Sequence, residues 1–398
     1  MSSSTVSSNT DITIAGAGIA GLVTALALAK SGRPTRIVEA FEEPGEIGAG
    51  IQLAPNATSI LARLGVLEAV QARAIAPRSI RLGDAATNKI VLEMQITPEW
   101  LKRMDAPYLA VHRAALHTAL YDAAVAEPNI ELVTGHRIEG IEERDDAVRL
   151  KLATADGTRE LQAGTLIGAD GIWSKVRAAV PASGKPAPTG RVAWRAMGPA
   201  PAGYDASSVT AWMAPNAHVI VYPIRNTDTL NIVAVTSGTS REPRWDQPVV
   251  AKELRRLIEG GGKMLGVNIS KATSWTLWPL FRVRPDATWH TGRIALIGDA
   301  AHGMEPFSAQ GAAMAIEDGY ALAACMARQP DDTTAAFAAY RALRLPRLER
   351  VAKRTDFNRW VYHQSGPGRW ARNRYMAARG GPSFLESLEW LYGYRVPG

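Results

Sequence analysis

Apolar and polar positions along the 398-residue chain follow a period that changes several times. Residues 11–15 form a short apolar run, typical of a buried parallel strand, and an Ala- and Leu-rich helical pattern begins after residue 18. Apolar and polar positions alternate over residues 78–94, and alternating, aromatic-rich segments extend over about residues 191–280. A further buried strand is predicted at residues 293–297. This order predicts an α/β domain into which an antiparallel sheet is inserted.

These changes of pattern divide the chain into predicted domains. The N-terminal residues are rich in Ser, Thr and Asn and are expected to be a disordered tail. A discontinuous dinucleotide-binding domain is expected, because the α/β pattern resumes after the inserted strands. The predicted bounds are 1–10 for the tail, 11–77, 104–188 and 281–345 for the dinucleotide-binding domain, 78–103 and 189–280 for a substrate-binding sheet domain, and 346–398 for a C-terminal helical segment.

Composition narrows the class of protein. The chain is 46% hydrophobic and 21% charged, as in globular proteins, and its longest apolar stretch, residues 16–29, is too short to span a bilayer. A cytoplasmic protein is expected. Cys325 is the only cysteine, which excludes an internal disulfide and a cysteine-based metal site. The net charge is +7, but Lys and Arg are scattered along the chain, so no nucleic-acid, membrane or metal partner is predicted.

A glycine motif between the first strand and the first helix is the strongest local signal. Gly16, Gly18 and Gly21 have the G-x-G-x-x-G spacing. The first permits the tight turn, the second lets a pyrophosphate approach the backbone, and the third lets the helix pack on the strand. Glu39 ends the next predicted strand, where such motifs place a carboxylate for ribose hydroxyls. A bound dinucleotide is therefore predicted.

Two acidic turns follow other buried strands. Asp170-Gly171 follows a predicted strand at residues 165–168, and Gly298-Asp299 follows the strand at 293–297. Open α/β sheets bind ligands at the carboxyl ends of their strands, so both turns are expected at the ligand. Gly311 begins a predicted helix, whose free N–H groups could face an anionic group.

Together these motifs resemble the signatures of the single-component FAD-dependent aromatic hydroxylases. The resemblance covers nearly the whole chain, most clearly at residues 48–56, 169–177 and 298–318. The chain is most similar to the branch of salicylate hydroxylase, 3-hydroxybenzoate 6-hydroxylase and 6-hydroxynicotinate 3-monooxygenase. The resemblance implies a Rossmann-like FAD-binding domain of the para-hydroxybenzoate hydroxylase type, with an inserted antiparallel-sheet substrate domain.

By this resemblance the cofactor is FAD, and NADH or NADPH is the co-substrate. The implied reaction is hydroxylation of a small electron-rich aromatic acid with O2 through a C4a-hydroperoxyflavin. The residues implied at the cofactor are Gly16, Gly18, Ile19, Ala20, Gly21, Glu39, Ala40, Gln52, Arg113, Asp170, Gly171, Gly298, Asp299, Pro306, Gly311 and Ala312.

The substrate site is expected on the inserted sheet. His218 and Tyr222 point to one face of a strand, and both match a His-x-x-x-Tyr pair of this branch, so His218 is the candidate base. Arg195 is a candidate partner for a carboxylate. His302 is a third catalytic candidate beside the flavin, with a structural role equally open, and Pro306 is expected to touch both substrate and flavin.

Alternatives to this interpretation concern the substrate first. The same scaffold could act on urate, hydroxynicotinate, a quinolone or a polyketide phenol, since fold does not fix function. A nicotinamide-dependent dehydrogenase would use the first glycine motif alone and leave Asp170 and Asp299 without a role. A flavin-binding protein without turnover is a further alternative. The sequence leaves open whether the protein is a monomer or a homodimer.

Overall fold

The computed structural model describes residues 12–43, 50–200, 204–224, 226–238, 247–248, 254 and 272–397. The predicted N-terminal tail, residues 1–10, lies outside the described residues, as does the beginning of the family-like segment at residues 48–56. No helix among the described residues combines the length and the apolar composition needed to cross a membrane.

The described strands belong to four sheets. In chain order they are β1 (Ile12–Ala15), β2 (Thr35–Val38), β3 (Gly50–Leu53), β4 (Ala74–Ile75), β5 (Ser79–Asp84), β6 (Lys89–Gln95), β7 (Leu109–His112), β8 (Ile130–Val133), β9 (Arg137–Glu143), β10 (Val148–Thr154), β11 (Gly157–Ala163), β12 (Thr165–Gly168), β13 (Ala187–Pro199), β14 (Ser208–Ala214), β15 (Ala217–Ile224), β16 (Asn226–Ser237), β17 (Gln247–Pro248), β18 (Thr273–Arg282) and β19 (Ile294–Leu296).

The described helices cover the faces of these sheets. They are α1 (Ile19–Lys30), α2 (Pro55–Leu64), α3 (Leu67–Gln71), α4 (Pro98–Met104), α5 (Arg113–Ala126), α6 (Asp299–His302), α7 (Gly311–Arg328), α8 (Thr333–Tyr362), α9 (Gly366–Arg379), α10 (Gly381–Glu386) and α11 (Glu389–Tyr392). Short 3-10 turns span Val176–Ala179 and Pro306–Ser308.

The dinucleotide-type motifs lie on a parallel sheet with the strand order β19-β12-β1-β2-β8. In register, Ile12 lies opposite Thr165 on one side and Thr35 on the other. Every residue of β1, β2, β12 and β19 is buried, as expected for parallel strands that are covered on both faces. Because the strands are parallel, their carboxyl ends meet at one edge, and the predicted ligand residues follow at that edge.

The inserted sheet has eight strands in the order β17-β18-β13-β16-β15-β14-β5-β6. It joins β5 and β6 to the later strands β13–β18, as the alternating patterns predicted. One pair differs from the predicted antiparallel arrangement, because β14 runs parallel to β5, with Val209 opposite Ile80. The expected substrate residues Arg195 and Tyr222 lie on β13 and β15 of this sheet.

Helix packing brings the two ends of the chain together. Helices α1 and α7 approach closely, since a Cβ at Gly319 would lie 2.6 Å from Thr24 Oγ1 and 3.1 Å from the carbonyl oxygen of Ala20. Helix α7 also packs on α8, so C-terminal helices support the Rossmann-like sheet that the N-terminal residues begin.

Helix α8 corrects one predicted boundary. The C-terminal helical segment was expected to begin at Pro346, but α8 continues through this residue to Tyr362, although proline removes a helical hydrogen bond. Pro346 and Ala342, whose carbonyl loses its helical donor, are both exposed, so water can satisfy that carbonyl. Residues 345 and 346 therefore lie within one helix, and the remaining domain bounds stay predictions.

Candidate active site

A cavity of about 680 Å³ lies at the carboxyl edge of the parallel sheet and extends to the inserted sheet. Most of the residues expected from the sequence line it. They are Gly16, Gly18, Ile19, Ala20, Glu39, Ala40, Gln52, Arg113, Asp170, Gly171, Arg195, Tyr222, Asp299, Pro306, Gly311 and Ala312. Four expected residues, Gly21, His218, Gly298 and His302, do not line it.

The glycine loop has the geometry that its spacing predicts. Gly16 has φ +101°, and a Cβ there would lie 2.8 Å from the carbonyl oxygen of Ala169. A Cβ at Gly21 would lie only 2.0 Å from the carbonyl oxygen of Gly16, which no side chain can tolerate. Gly21 therefore shapes the turn, while Gly16 and Gly18 face the cavity.

Glu39 fastens the glycine loop to the end of β2. Its Oε2 accepts a hydrogen bond from the backbone N–H of Ala17 at 2.7 Å, and its Oε1 accepts one from Phe41 N–H at 3.0 Å. The carboxylate is thus held in a fixed orientation at the cavity wall, where its remaining lone pairs can accept hydroxyl donors.

Asp170 presents one paired and one unpaired oxygen. Oδ2 accepts hydrogen bonds from the backbone N–H groups of Lys175 and Val176, at 2.7 and 3.1 Å. Oδ1 is buried and has no hydrogen-bond partner among the described residues. Burial raises the pKa of this carboxyl above its usual range, and the hydrogen bonds to its charged form oppose that shift. A ligand that donates a hydrogen bond to Oδ1 would satisfy the site.

Gly298 and Asp299 form the turn after β19. Gly298 has φ +56°, and its N–H donates to Asp318 Oδ2 at 3.0 Å, which fixes the turn from behind. Asp299 begins helix α6 and faces the cavity. Gly298 therefore positions its neighbour and does not itself line the cavity.

His302 lies in a buried network behind this turn. Its Nε2 contacts Asp318 Oδ2, and its ring packs on Trp289 with centroids 5.4 Å apart. Only 3% of His302 is exposed, and it does not reach the large cavity. His302 therefore does not line the cavity in which the flavin was expected, because its imidazole faces Asp318, and its catalytic role stays a prediction.

The same network joins three helices behind the cavity, of which α7 lines it. Arg344 is fully buried and binds Glu317 Oε2 at 2.5 Å and Asp318 Oδ1 at 2.7 Å. Asn56 Nδ2 donates to Glu317 Oε1 at 2.7 Å and to Gln310 Oε1 at 3.0 Å. Helices α2, α7 and α8 are therefore tied together immediately behind the residues that line the site. None of these partners was expected from the sequence.

The other end of the cavity lies on the inserted sheet. The guanidinium of Arg195 lies 4.5 Å from the ring centroid of Trp278, and burial together with the nearby Arg113 lowers its pKa to about 10. Burial raises the pKa of Tyr222 well above its usual range, so its phenol stays protonated. A Cβ at Gly50 would lie 2.7 Å from Tyr222 Cε2, and only glycine allows β3 to approach so closely.

His218 occupies a layer beyond this end. Ile220 and Tyr222 of the same strand face line the cavity, whereas the imidazole of His218 packs on Phe307, Tyr362 and His363. His218 Nδ1 lies 3.2 Å from His363 Nε2, and Nε2 is buried with no partner among the described residues. Direct lining of the cavity by His218, which the strand pattern predicted, is not observed, because the end of α8 packs on the sheet there.

These features define the class of protein. A glycine turn with a close backbone approach, a carboxylate fixed beside it, an unpaired buried Asp170 oxygen and two helix N-termini converge on one cavity. Donors and acceptors of this kind fit the phosphates and hydroxyls of a dinucleotide. The fold and the site are those of a dinucleotide-binding protein of the Rossmann type.

Comparisons with known proteins identify the family. A family model described as FAD binding domain matches residues 9–355. The chain is 34% identical to 3-hydroxybenzoate 6-hydroxylase of Klebsiella oxytoca, with 96% of each chain covered. It is 33% identical to 3-amino-4-hydroxybenzoate 2-monooxygenase of Streptomyces platensis, covering 97% of this chain and 96% of the relative.

A solved structure shows the same fold. The substrate complex of a salicylate hydroxylase superposes with a TM-score of 0.79 at 23% identity, covering 96% of this chain and 95% of that one. The chain therefore belongs to the FAD binding domain family of flavin-dependent monooxygenases. Its cofactor is FAD and its co-substrate is NADH or NADPH.

Proposed function

We propose that this monooxygenase hydroxylates a small aromatic acid of the hydroxybenzoate type, with O2 as the oxygen donor. The observation that carries the proposal is the placement of Arg195 beside Tyr222 at the sheet end of the cavity. An arginine, a phenol and apolar walls in one cavity are the groups that a hydroxylated aromatic carboxylate needs.

Electrostatics favour an anionic substrate. Arg195 and Arg113 face the same cavity, and their mutual repulsion contributes to the lowered pKa of Arg195. No carboxylate is among the described groups that shift the pKa of Arg195. A bound carboxylate would relieve this repulsion and would form charge-assisted hydrogen bonds, while the guanidinium face stays on Trp278.

Apolar side chains provide a slot for an aromatic ring. Ile220, Val233 and Pro306 line the cavity near Tyr222. The phenol of Tyr222 is protonated at neutral pH and can therefore donate to one polar substituent while accepting from another. The ring would thus be oriented by Arg195 at its carboxylate and by Tyr222 at its hydroxyl.

We assign His218 to the layer behind this slot as a hydrogen-bond acceptor. Burial and the nearby His363 lower its pKa to about 3, so its imidazole is uncharged at neutral pH. Its unpaired Nε2 can accept a hydrogen bond from a hydroxyl that reaches past Tyr222. A hydrogen bond from the substrate hydroxyl to this nitrogen increases the electron density of the substrate ring, which favours electrophilic hydroxylation.

The chain's remaining groups would hold the cofactor. Glu39, Asp170 and Asp299 would bind its hydroxyls, and the glycine turn and the N-terminus of α1 would meet its phosphates. When bound, FAD carries the hydride and oxygen chemistry of the reaction. Gly311 and Ala312 at the N-terminus of α7 line the cavity, and their free N–H groups would stabilise negative charge on the reduced ring system.

A substrate panel tests the proposal. Oxidation of NADH and NADPH would be followed with salicylate, 3- and 4-hydroxybenzoate, 6-hydroxynicotinate and urate, and the products would be identified. One hydroxybenzoate-type acid is expected to stimulate oxidation and to be hydroxylated. Stimulation by urate alone, or only by phenols without a carboxylate, would contradict the assigned role of Arg195.

A further inference from the structure

A second, smaller pocket of about 300 Å³ lies next to the main cavity. It is formed between residues 282–285, residues 302–305 and the face of α8 that carries Leu348 and Ala352. Met304 and Glu305 line both spaces and therefore lie between them. This side pocket has no role in the function proposed above.

The main cavity has its exposed residues at the dinucleotide end. Phe41 and Trp173, which follow Glu39 and Asp170, are 63% and 42% exposed. Tyr222 and Glu305 at the other end are only 3% and 5% exposed. FAD held by Glu39 and Asp170 would occupy the exposed end, so a substrate that enters after the cofactor would need another route to Tyr222.

The chemistry of the side pocket suits an aromatic acid. Val283, Leu348 and Ala352 supply apolar surface, which an aromatic ring can contact. Arg282 is exposed at the pocket, where it can attract a carboxylate. His302 lines the pocket. Its Nε2 contacts Asp318, and its Nδ1 is buried without a partner among the described residues. A hydroxyl donor would satisfy that nitrogen.

The separating wall contains side chains that can move. Met304 is unbranched and has three rotatable bonds, so its side chain can change rotamer without displacing the backbone. Glu305 Oε1 lies 3.2 Å from Arg191 Nη1, and this ion pair restrains its carboxylate. Rotation of Met304 would open a direct path between the two spaces.

We propose that the side pocket is an outer binding site for the aromatic acid, from which it passes Met304 into the main cavity. This inference rests on the proposed function, because it takes the same acid as the ligand. Obstruction of a passage slows association and dissociation by the same factor and leaves Kd unchanged. A change in the inner site alters Kd, so the two effects can be distinguished.

The test blocks the pocket reversibly in the FAD-loaded protein. Ala352→Cys would be treated with a benzyl methanethiosulfonate reagent, which forms a mixed disulfide and releases a sulfinate. Ala342→Cys, at an exposed position of α8 outside the pocket, is the matched control. The native Cys325 is buried, and treated wild-type protein checks that it does not react. Binding of salicylate and 3-hydroxybenzoate would be followed by flavin absorbance in stopped flow.

Labelled Ala352→Cys is expected to bind and release the acid about tenfold more slowly, with Kd changed less than about twofold and full recovery after dithiothreitol. If mass spectrometry shows that the label is attached and both rates are unchanged, the inference is overturned. A Kd that rises in step with the loss of association rate would also overturn it. If no acid perturbs the flavin of the unlabelled protein, the proposed function itself fails.

Arg282→Gln provides a second variant at an exposed position, where folding is not at risk. It is expected to lower the association rate constant about threefold at low salt and to weaken its dependence on ionic strength. An unchanged rate constant and an unchanged salt dependence would show that Arg282 does not attract the acid, and would contradict the electrostatic part of the proposal.

Discussion

Asp318 accepts a hydrogen bond from the backbone N–H of Gly298 at 3.0 Å, although 20 residues separate them in the chain. The same oxygen contacts His302, and the other carboxylate oxygen accepts from Arg344 Nε at 2.7 Å. A single buried carboxylate therefore fixes the turn that presents Asp299 to the cavity, and it ties that turn to α8.

Asp318→Asn is expected to destabilise the protein strongly. It leaves the fully buried Arg344 with one carboxylate partner, and breaking such a buried ion pair costs about 3 kcal/mol or more. Denaturant unfolding measures the loss. Asp356→Asn is the matched control, because the pair of Asp356 with Arg359 is half exposed and contributes less than about 1 kcal/mol. Equal losses in both variants would contradict this account.

The contribution of Asp318 should also depend on pH. Burial alone would raise its pKa, but His302 and Arg344 together lower it below the ordinary value of 3.8. A carboxyl with a lowered pKa in the folded state stabilises the protein fully above the unfolded value and loses this effect as the pH falls below it. The difference between wild type and Asp318→Asn is therefore expected to be constant near neutrality and to shrink below about pH 4.

Gly21→Ala is expected to abolish tight FAD binding. The added Cβ would lie 2.0 Å from the carbonyl oxygen of Gly16, so α1 or the glycine turn must move. Gly32→Ala is the control: its φ of +73° costs about 1 kcal/mol with an alanine, but no atom lies within 4 Å of the added Cβ. The flavin-to-protein absorbance ratio should fall for Gly21→Ala alone. A fully loaded Gly21→Ala protein would show that the turn can adapt.

Arg195→Gln tests recognition of the carboxylate. A hydrogen bond to a charged group contributes about 1.5–3 kcal/mol, so KM for the preferred acid should rise by about tenfold or more. The primary amide of the same compound serves as the control, because it carries no charge for Arg195 to neutralise. The ratio of the two KM values decides the matter: an equal rise for acid and amide would mean that Arg195 only shapes the cavity.

The buried pair of His218 and His363 leads to a prediction about how stability depends on pH, and His218 leads to one about activity. Burial, together with neighbouring positive charge, lowers their pKa values to about 3 and about 4, whereas an unfolded histidine titrates near 6.5. Neither group opposes folding above pH 6.5. Below that pH the free energy of unfolding falls, because the unfolded state takes up protons that the folded state does not. The slope of Tm against pH between 6.5 and 4.5 should be smaller in His218→Phe than in wild type.

Activity separates the hydrogen-bonding role of His218 from a packing role. His218→Ala and His218→Asn should both keep their FAD, but hydroxylation should fall and oxidation of NADH or NADPH should become less coupled to product. The asparagine variant, whose side-chain oxygen can accept a hydrogen bond, should recover part of the coupling. Parallel loss of FAD and activity in both variants would assign His218 to packing alone.

The sequence predicted the parts of the site that depend on local geometry. Gly16 and Asp170 each follow a short apolar strand, and a strand end combined with a tight turn can be recognised within a few residues. Parallel pairing then brings these turns to one edge, as the register of β1 with β2 and β12 shows. The local pattern and the sheet topology together predict the edge of the sheet at which the large cavity lies.

Interactions between distant segments could not be predicted in this way. His302 was expected beside the flavin, but its position is decided by Asp318 and Arg344, which lie on two later helices. His218 has the expected strand face, yet its neighbour His363 lies 145 residues further along the chain. Periodicity identifies which face of an element is buried and carries no information about the side chain that packs on it.

Incorporation of isotope from ¹⁸O2 tests the central claim most directly. The FAD-loaded protein would be supplied with NADH or NADPH and the stimulating hydroxybenzoate under ¹⁸O2, and the product would be analysed by mass spectrometry. The account predicts a hydroxylated acid that carries a single labelled oxygen in its new hydroxyl group. A product whose new oxygen comes from water, or reductant oxidation that yields only hydrogen peroxide with every acid, would contradict it.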